Sequence, residues 1–580
     1  DNWKVSSRLT LNLGLRWDKW TPYSEKFNRL TTIDKDSVLD RFEVVTPGDH
    51  EIHSLPGIPP AVLDSWSAAG MTYATANQVG YPSNLFRADN NNFGPRLGAA
   101  YKITDKTVLR GGYGEYFWPM PLSQILQSSR TNPPLNLRFA NEPNFFDGSG
   151  TYILRNTPGS QFFLPNATVD ISGIQNVPSS SKGGLLWDGR NWKDARAQSW
   201  HVSLERELMR RTALRLSYIG QHGRDLEQRA SINSREAEFN YVLRTGLAPT
   251  GNRDQLLRQN PAWLGLTELN RTGFSNSHSA QIEIERKYSN GIAFQWFYTF
   301  TRSLTTTDTG GFSSGGTSIN SGGSTDGGGA QVPENIQLFG EPNLTYDERL
   351  HFAYFNSTAI PAHRIRYNGI VDLPFGRGKK LGGNVPAALD HVIGGWQIAT
   401  IGDWRGGQWS SVGGSRFVFG DPRLSPDQRL EMDIFGTRQR LWFRGDFDPT
   451  QATNVTGGNL QDLVAVDPTQ RVVRRLGPNA NNQLPQQLAD GSIRNTSVGS
   501  DLFNPSPRGF IIGPGAWNVD LSFFKNFQIR ESVKARFTAD FFNFFNHPND
   551  VAPNNVTGLQ RLDRQSNDPR IIQFSLRVDW

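Results

Sequence analysis

A few residues of this 580-residue chain have types and spacings that could do chemistry, but each fits a structural role better. The stretch HEIH at 50–53 offers two imidazoles and a carboxylate, which are groups that bind zinc. Its histidines lack the i, i+4 spacing that brings two imidazoles to one face of a zinc-binding helix. Pro47 and Pro56 flank the stretch. We therefore predict a solvated loop here and no metal site.

Three further features resemble chemical motifs only superficially. Glu283 and Glu285 share one face of a predicted strand, where solvated charges are a better interpretation than an acid/base pair. The run GGYG at 111–114 is not followed by a helix, which a phosphate-binding loop requires. Glycines in a strand instead let it bend and let neighbours approach closely. Asp326 has no partner carboxylates at calcium-binding spacings.

Composition excludes several other classes of function. The chain has no cysteine, which rules out disulfides, thiolate metal sites and a cysteine nucleophile. No Ser-His-Asp arrangement can be argued. The net charge of +6 comes from interleaved acidic and basic residues, whereas a nucleic-acid binder needs a clustered basic face. We expect a protein that is not an enzyme, that holds no cofactor or metal, and that has no nucleic-acid partner.

The most informative pattern is the strict alternation of apolar and polar residues. In the C-terminal stretch IIQFSLRVDW, the residues Ile572, Phe574, Leu576, Val578 and Trp580 alternate with polar ones. Successive side chains of a strand point to opposite faces, so this strand has one wholly apolar face. The same pattern predicts twelve strands: Leu9–Trp17, Arg96–Ile103, Val108–Phe117, Gln198–Glu207, Leu214–Tyr218, Ala280–Arg286, Ile292–Phe300, Arg364–Leu373, Trp396–Trp404, Trp517–Phe523, Val533–Phe541 and Ile571–Trp580.

The connections between these strands alternate between short and long. Short turns, such as the one with Asn290-Gly291, join the strands into hairpins, and Asn-Gly is the strongest short hairpin signal. The long connections are irregular and polar, and they cover about 19–92, 119–196, 224–275, 305–363, 410–514 and 549–570. Short periplasmic turns and long extracellular loops are typical of an outer-membrane β-barrel. The Gly/Ser-rich stretch 313–330 is then expected to be extracellular and flexible.

The barrel interpretation assigns faces and ends to particular side chains. The chain contains no run of 18 apolar residues, which a transmembrane helix would need. In the barrel interpretation the strands therefore cross the membrane. We expect lipid contact for Leu11, Leu13, Phe294, Trp296, Val519 and Phe537. The tryptophans near strand ends are interpreted as an interfacial aromatic girdle rather than as sugar-binding platforms, and they are Trp17, Trp118, Trp200 and Trp404.

The same interpretation gives the chain's last residues a role in assembly. The strand order places Trp580 at the periplasmic rim. Phe574, Leu576, Val578 and Trp580 are expected to form the C-terminal signal read by the barrel-assembly machinery.

Several stretches resemble the barrel of Oar-like TonB-dependent receptors, the type that carries a carboxypeptidase-regulatory domain. They occur in the family's order, and they are LTLNLGLRWD (9–18), NNFGPRLGAAY (91–101), TVLRGGYGEYF (107–117), DLPFGRGKK (372–380), GGWQIA (394–399), NVDLSFFKNF (518–527), ADFFNFFNHPN (539–549) and DPRIIQFSLRVDW (568–580). The resemblance implies an antiparallel barrel of 22 strands, of which residues 1–580 supply the C-terminal part. It also implies a plug and a TonB-binding segment in a region absent from this chain.

Three functions remain open at this stage. The resemblance favours energised uptake of an unidentified extracellular ligand across the outer membrane, with outer-membrane lipid and the TonB complex as partners. A passive pore or surface adhesin could be built from the same strands, and a plug upstream would argue against it. A secreted β-propeller acting on glycans is favoured only by the Trp and Gly content, and it would not require detergent.

Overall fold

The structure is a computed structural model, and it describes most of the chain. The described residues are 2–58, 60–119, 184–233, 236–251, 256–263, 266–306, 345, 348, 351, 354, 355–413, 416–476, 483–498, 509–530 and 533–580. The Gly/Ser-rich stretch 313–330, with its Asp326, lies outside these residues.

The described residues are mostly β-structure, with strands numbered here in chain order. They are β1 (Asn2–Lys4), β2 (Leu9–Trp17), β3 (Thr32–Ile33), β4 (Phe42–Thr46), β5 (Met71–Thr75), β6 (Phe93–Thr104), β7 (Thr107–Trp118), β8 (Gly184–Trp187), β9 (Ala195–Met209), β10 (Thr212–Ile232), β11 (Leu266–Ser289), β12 (Ile292–Thr305), β13 (Phe355–Asn356), β14 (His363–Asp372), β15 (Trp396–Arg405), β16 (Trp409–Ser410), β17 (Phe417–Val418), β18 (Glu431–Ile434), β19 (Thr437–Leu441), β20 (Ala452–Thr456), β21 (Val473–Arg474), β22 (Gln483–Gln487), β23 (Ile493–Ser497), β24 (Ile511–Ile512), β25 (Ala516–Gln528), β26 (Lys534–Phe542), β27 (Leu559–Arg561) and β28 (Ile571–Asp579).

Helices are short and lie in the connections. They are α1 (Pro60–Ala68), α2 (Glu238–Thr245), α3 (Ala387–Ile393) and α4 (Leu460–Leu463). Single 3₁₀ turns occur at Ile52–Ser54, Pro426–Gln428, Pro449–Gln451 and Pro468–Gln470. Within the described part of the chain, no helix has both the length and the apolar character needed to cross a membrane.

One large sheet contains all twelve strands that the sequence predicts. Its order is β1-β2-β6-β7-β9-β10-β11-β12-β14-β15-β25-β26-β28, with neighbours antiparallel along this path and with β8 and β13 attached at its side. The short strand β1 is an addition to the prediction. Among the described residues, β1 and β28 form the two ends of the path and do not pair with each other. The backbone groups along the outer edges of these two strands therefore lack a partner strand in this part of the chain.

The predicted turn chemistry is present at the hairpin between β11 and β12. Asn290 and Gly291 both have positive φ angles, of 55° and 79°. A two-residue turn of this kind matches the right-handed twist of the strands that it joins. It fixes the register in which Ile284 lies opposite Trp296 and Ile282 lies opposite Tyr298.

Register places apolar side chains of successive strands on one face of the sheet. One row crosses ten strands through Leu9, Tyr101, Leu109, Leu204, Leu216, Ile282, Tyr298, Ile365, Trp404 and Trp517. The six residues expected to contact lipid lie on this same apolar face, and none belongs to a buried hydrophobic cluster of the described residues. A face that is apolar, continuous and not covered by other parts of the protein requires an apolar surrounding medium.

Two strands are longer than the sequence predicted. The stretch 224–275 was expected to be irregular, but β10 continues to Ile232 and β11 begins at Leu266. The two remain paired as far as Ile232 opposite Leu266, with register shifts between Gly223 and Gln228. Backbone hydrogen bonds hold this extension, and a ladder of backbone hydrogen bonds needs no alternation of apolar side chains, so the sequence pattern did not predict it.

The first long connection is also folded, which corrects the expectation that 19–92 is irregular. Its strands β3–β5 and α1 form a buried cluster with Leu186, Trp263 and Leu266. Trp263 stacks on Phe42 at 3.9 Å between ring centroids and on Trp66 at 5.9 Å. Burial raises the pKa of Tyr73 to about 12, so its hydroxyl stays neutral where it donates to the carbonyl of Leu63. Each large apolar side chain buried here contributes about 1.5–3 kcal/mol.

A second folded region corrects the expectation for 410–514. Strands β20, β18, β19 and β27 form a four-stranded sheet that uses residues from both 431–456 and 559–561. Its core includes Met432, Leu441 and Leu559. Beside it, the nearly buried Arg471 donates to Asp446 at 3.2 Å. The apolar residues that build these cores are scattered along distant segments, so no local periodicity revealed them.

Candidate functional site

Two groups of four residues stand out among the charged side chains on the opposite, polar face of the large sheet. Four residues on β7, β9, β10 and β11 form the first, which we call the glutamate–arginine network: Arg110, Glu205, Arg215 and Glu283. Four residues on β14 and β15 form the second: Arg364, Arg366, Asp403 and Arg405. The alternating pattern of the strands puts these residues on the face away from the apolar rows.

The glutamate–arginine network is balanced in charge. Arg215 donates to Glu205 at 3.0 Å and to Glu283 at 2.6 Å. Arg110 lies 3.5 Å from the same Glu205 carboxylate. Two guanidinium groups thus meet two carboxylates across four adjacent strands. The predicted interpretation of Glu283 as a charge on the polar face, and not half of an acid/base pair, fits this ion pair with Arg215.

The second group has three guanidinium groups and one carboxylate. Arg364 donates two hydrogen bonds to Asp403, at 2.9 and 2.8 Å, in the forked geometry that suits these two groups. The Nε atom of Arg366 lies 3.6 Å from Asp403. Arg405 lies directly across from Arg364 in the register of β14 and β15. Like charges directly opposite each other destabilise a pair of strands. With three guanidinium groups and one carboxylate, this group of residues carries uncompensated positive charge.

A cavity of about 910 Å³ lies beside these charges. Its apolar wall includes Phe297, Ile360 and Ile401, and its polar wall includes Thr299 and Thr301. Arg364, Arg366 and Asp403 also line it. We refer to the cavity together with Arg364, Arg366, Asp403 and Arg405 as the arginine pocket. Its size falls within the range of small-molecule sites, and its walls can bind a ligand by charge and by apolar contact.

Sequence reasoning missed the arginine pocket, although a signal was present. In HRIRY at 363–367, Arg364 and Arg366 alternate with apolar residues, which places both on the polar face. The pairing of β14 with β15 then brings Asp403 opposite Arg366. The arginines could have been grouped from the alternation, but Asp403 joins them only through the register of β14 and β15, on either side of the connection 373–395.

A second hollow of about 690 Å³ lies over β2, β6, β7 and β9 on the polar face. A Cβ atom on Gly112 would lie 2.6 Å from the His201 ring, and one on Gly114 would lie 2.8 Å from the Tyr116 hydroxyl. The glycines therefore let two large side chains lie close against the sheet, which supports the structural interpretation of the run at 111–114. Arg96 covers the Tyr116 ring at 5.2 Å.

The stretch at 50–53 is part of the first folded connection. Ile52 is buried in its core, and the His53 ring meets Tyr73 edge-on at 5.7 Å between centroids. The carbonyl of His50 accepts a hydrogen bond from Thr46 at 2.6 Å. Within the residues that the structure describes, no group of three His, Cys, Asp or Glu side chains could hold a metal ion.

One of the four girdle tryptophans lies on the wrong face. Trp17, Trp200 and Trp404 share the apolar face, whereas Trp118 lies opposite Ala195 on the polar face. A place at a strand end suggests a girdle residue, but the register of β7 puts Trp118 on the same face as Arg110 and Gly112. It therefore cannot belong to a girdle that faces lipid.

The four residues expected to direct assembly lie on or just after β28. Phe574, Leu576, Val578 and Trp580 are 68%, 71%, 42% and 92% exposed. β28 pairs with β26 on one side, and Phe574 stacks on Phe537 at 6.3 Å between centroids. Their role as an assembly signal stays a prediction.

A comparison with solved structures matches the chain to several outer-membrane proteins. The ferripyoverdine receptor of the Pseudomonas aeruginosa outer membrane is 11% identical, with a TM-score of 0.34, over 100% of this chain and 37% of that one. The outer membrane transporter YddB from Escherichia coli is 10% identical, with a TM-score of 0.37, over 84% of this chain and 40% of that one. The FrpB iron transporter from Neisseria meningitidis is 7% identical, with a TM-score of 0.34, over 99% of this chain and 53% of that one.

The chain thus spans between about a third and about a half of the length of these three proteins. A search among curated proteins found no match. A family model described as "Outer membrane beta barrel domain" matches residues 1–573. With its apolar outer face, its polar inner face and its long connections, the chain belongs to the outer membrane β-barrel domain family and lies in the outer membrane.

Proposed function

We propose that this chain is the barrel of a TonB-dependent receptor that takes up an extracellular ligand with energy from the TonB complex. The arginine pocket carries this proposal, because it offers a built binding surface on the lumen face of the sheet. The eight stretches that resemble Oar-like receptors support it as well. In this proposal the TonB complex contacts a region outside this chain, and the lumen wall contributes to ligand binding.

The direction of the strands supports an extracellular position for the pocket. β14 begins at His363 after a long connection, and β15 ends at Arg405 before another. In an outer-membrane barrel the long connections are extracellular. The pocket then lies in the extracellular half of the lumen, where a ligand arrives first.

The test compares ion flow with energised uptake in the complete protein. A receptor closed by a plug should give no steady conductance in a planar lipid bilayer, whereas a passive pore conducts continuously. Uptake of the ligand by cells should stop when TonB is removed. Steady conductance by the complete protein, or uptake that continues without TonB, would contradict the proposal.

A surface-binding role is the second candidate, and the folded connections favour it. The hairpin of β18 and β19 exposes Phe435, which is 77% accessible, and Ile493 at the start of β23 is 74% accessible. Adhesion of cells that is lost with Phe435→Ser, while ligand uptake is retained, would identify this role.

The C-terminal strand is proposed to direct assembly and to close the barrel. An unpaired strand edge in lipid leaves backbone groups unsatisfied, and each costs several kcal/mol. We therefore propose that the outer edges of β1 and β28 pair with further strands of a barrel of about 22, as the family resemblance implies. Deletion of residues 574–580 should abolish insertion into the outer membrane, which a heat-modifiability gel of membrane fractions measures. Normal insertion of the truncated protein would contradict this role.

A further inference from the structure

We propose that the arginine pocket binds an organic anion that carries a carboxylate or phosphate group on an apolar body. This inference rests on the proposed function, since it names the class of ligand that enters the lumen. Three guanidinium groups and one carboxylate leave a surplus of two positive charges among Arg364, Arg366, Arg405 and Asp403. An anionic ligand would compensate that surplus.

Asp403 positions one arginine and leaves the others free to bind. Both oxygens of Asp403 accept from Arg364, at 2.9 and 2.8 Å, so this guanidinium has a fixed orientation. Arg366 contacts the same carboxylate only at 3.6 Å, and its side chain is 56% exposed. Within the described residues, Arg405 has no carboxylate at ion-pair distance. Guanidinium groups bind carboxylate and phosphate through paired N–H donors. Such donors are offered by Arg366 in the wall of the cavity and by the exposed Arg405 beside it.

Other carboxylates on the lumen face near the pocket are already engaged. Asp520, opposite Ile401, accepts from the Asn518 side chain at 2.7 Å and from the backbone N–H of Asn543 at 2.9 Å. Glu283 accepts from Arg215 at 2.6 Å. Among the described residues, neither forms an ion pair with Arg366 or Arg405. The compensating charge must therefore come from outside these strands.

The apolar walls of the cavity favour a ligand that has an apolar part in addition to its charged group. Phe297, Ile360 and Ile401 offer apolar surface beside the arginines, and Ile401 is 63% exposed. A small inorganic anion would leave this surface in water. The volume of about 910 Å³ accommodates a ligand with a ring or a branched chain next to its charged group.

The experiment measures binding of phenyl phosphate to the complete detergent-solubilised protein by titration calorimetry. We expect Arg366→Gln to weaken binding roughly tenfold or more, since the variant loses hydrogen bonds between two charged groups, which are among the strong ones. The matched control is Arg110→Gln, which removes the same charge from the lumen face but belongs to the glutamate–arginine network. This control should bind phenyl phosphate as the unchanged protein does.

Additional arms separate the possible explanations. Arg366→Lys keeps the charge but loses the forked pair of N–H donors, so it should give an intermediate affinity. It takes the place of the glutamine variant if that variant fails to fold. Inorganic phosphate should bind more weakly than phenyl phosphate if the apolar wall contributes. No binding of phenyl phosphate by the unchanged protein, or equal weakening by Arg110→Gln, would overturn the inference. Since calorimetry needs no TonB, binding without energised uptake would contradict the proposed function and leave this inference standing.

Discussion

The glutamate–arginine network and the arginine pocket occupy the same face of the same sheet and use the same types of side chain. The network matches two arginines with two glutamates, whereas the pocket sets three arginines around one aspartate. Both are formed by cross-strand neighbours and both are partly exposed. The difference lies in the balance of charge. A balanced group satisfies itself, while an unbalanced group retains donors for a ligand.

The glutamate–arginine network and the arginine pocket can be compared only if both face the lumen. The largest change in stability that we expect tests this assignment of faces. Leu521 lies on the apolar face of β25, between Thr400 and Phe541 in the register. Leu521→Arg should destabilise the barrel by about 2–4 kcal/mol if it lies at the membrane midplane. The neighbouring Ser522 points to the lumen, so Ser522→Arg is the matched control and should change stability little. Urea unfolding in lipid vesicles measures both, and equal effects would contradict the assignment of faces.

The next effect separates a structural charge group from a binding one. Arg215→Gln leaves Glu205 and Glu283 close together without their shared arginine, and we expect a loss of about 1–2 kcal/mol because both carboxylates are partly buried. Arg366→Gln removes an excess positive charge and should leave stability nearly unchanged. The same unfolding measurement compares the two variants. A larger loss for Arg366→Gln would show that the pocket is the structural group.

A third substitution adds a carboxylate to the arginine pocket, so that its charges come closer to the balance of the glutamate–arginine network. Thr299 lies directly opposite Arg364 across β12 and β14. Thr299→Glu would supply a second carboxylate, and a cross-strand pair of opposite charges is worth about 0.2–1 kcal/mol. We expect a small gain in stability together with a loss of phenyl phosphate binding. Thr299→Gln is the control, because glutamine has the shape of glutamate without its charge, and this variant should retain phenyl phosphate binding.

The smallest effect concerns ionic strength. Binding at the pocket depends on charge that water can reach, so raising salt from low to 0.15 M and above should weaken phenyl phosphate binding progressively. Unfolding free energy should change less, since the network holds its charges in short ion pairs. Calorimetry and unfolding across a salt series measure these two responses. Binding that is insensitive to salt would favour apolar contact over charge as its source.

The sequence alone determined where twelve strands of the large sheet lie. A strand between lipid and lumen must alternate apolar and polar side chains, so the medium on each face imposes a period that can be read locally. The six residues expected to face lipid lie on the apolar face for this reason. The turn at Asn290-Gly291 was equally readable, because its positive φ angles favour those two residues.

Tertiary structure alone decided the folded connections and the pocket. Trp263 meets Phe42 and Trp66 from a distant segment, so no period could reveal their cluster. Trp118 shows the limit of local signals as well, since its place at a strand end did not reveal its face. Arg364 and Asp403 are brought together by the register of β14 and β15. Contacts between segments far apart in the chain depend on the whole arrangement of strands, which local patterns do not contain.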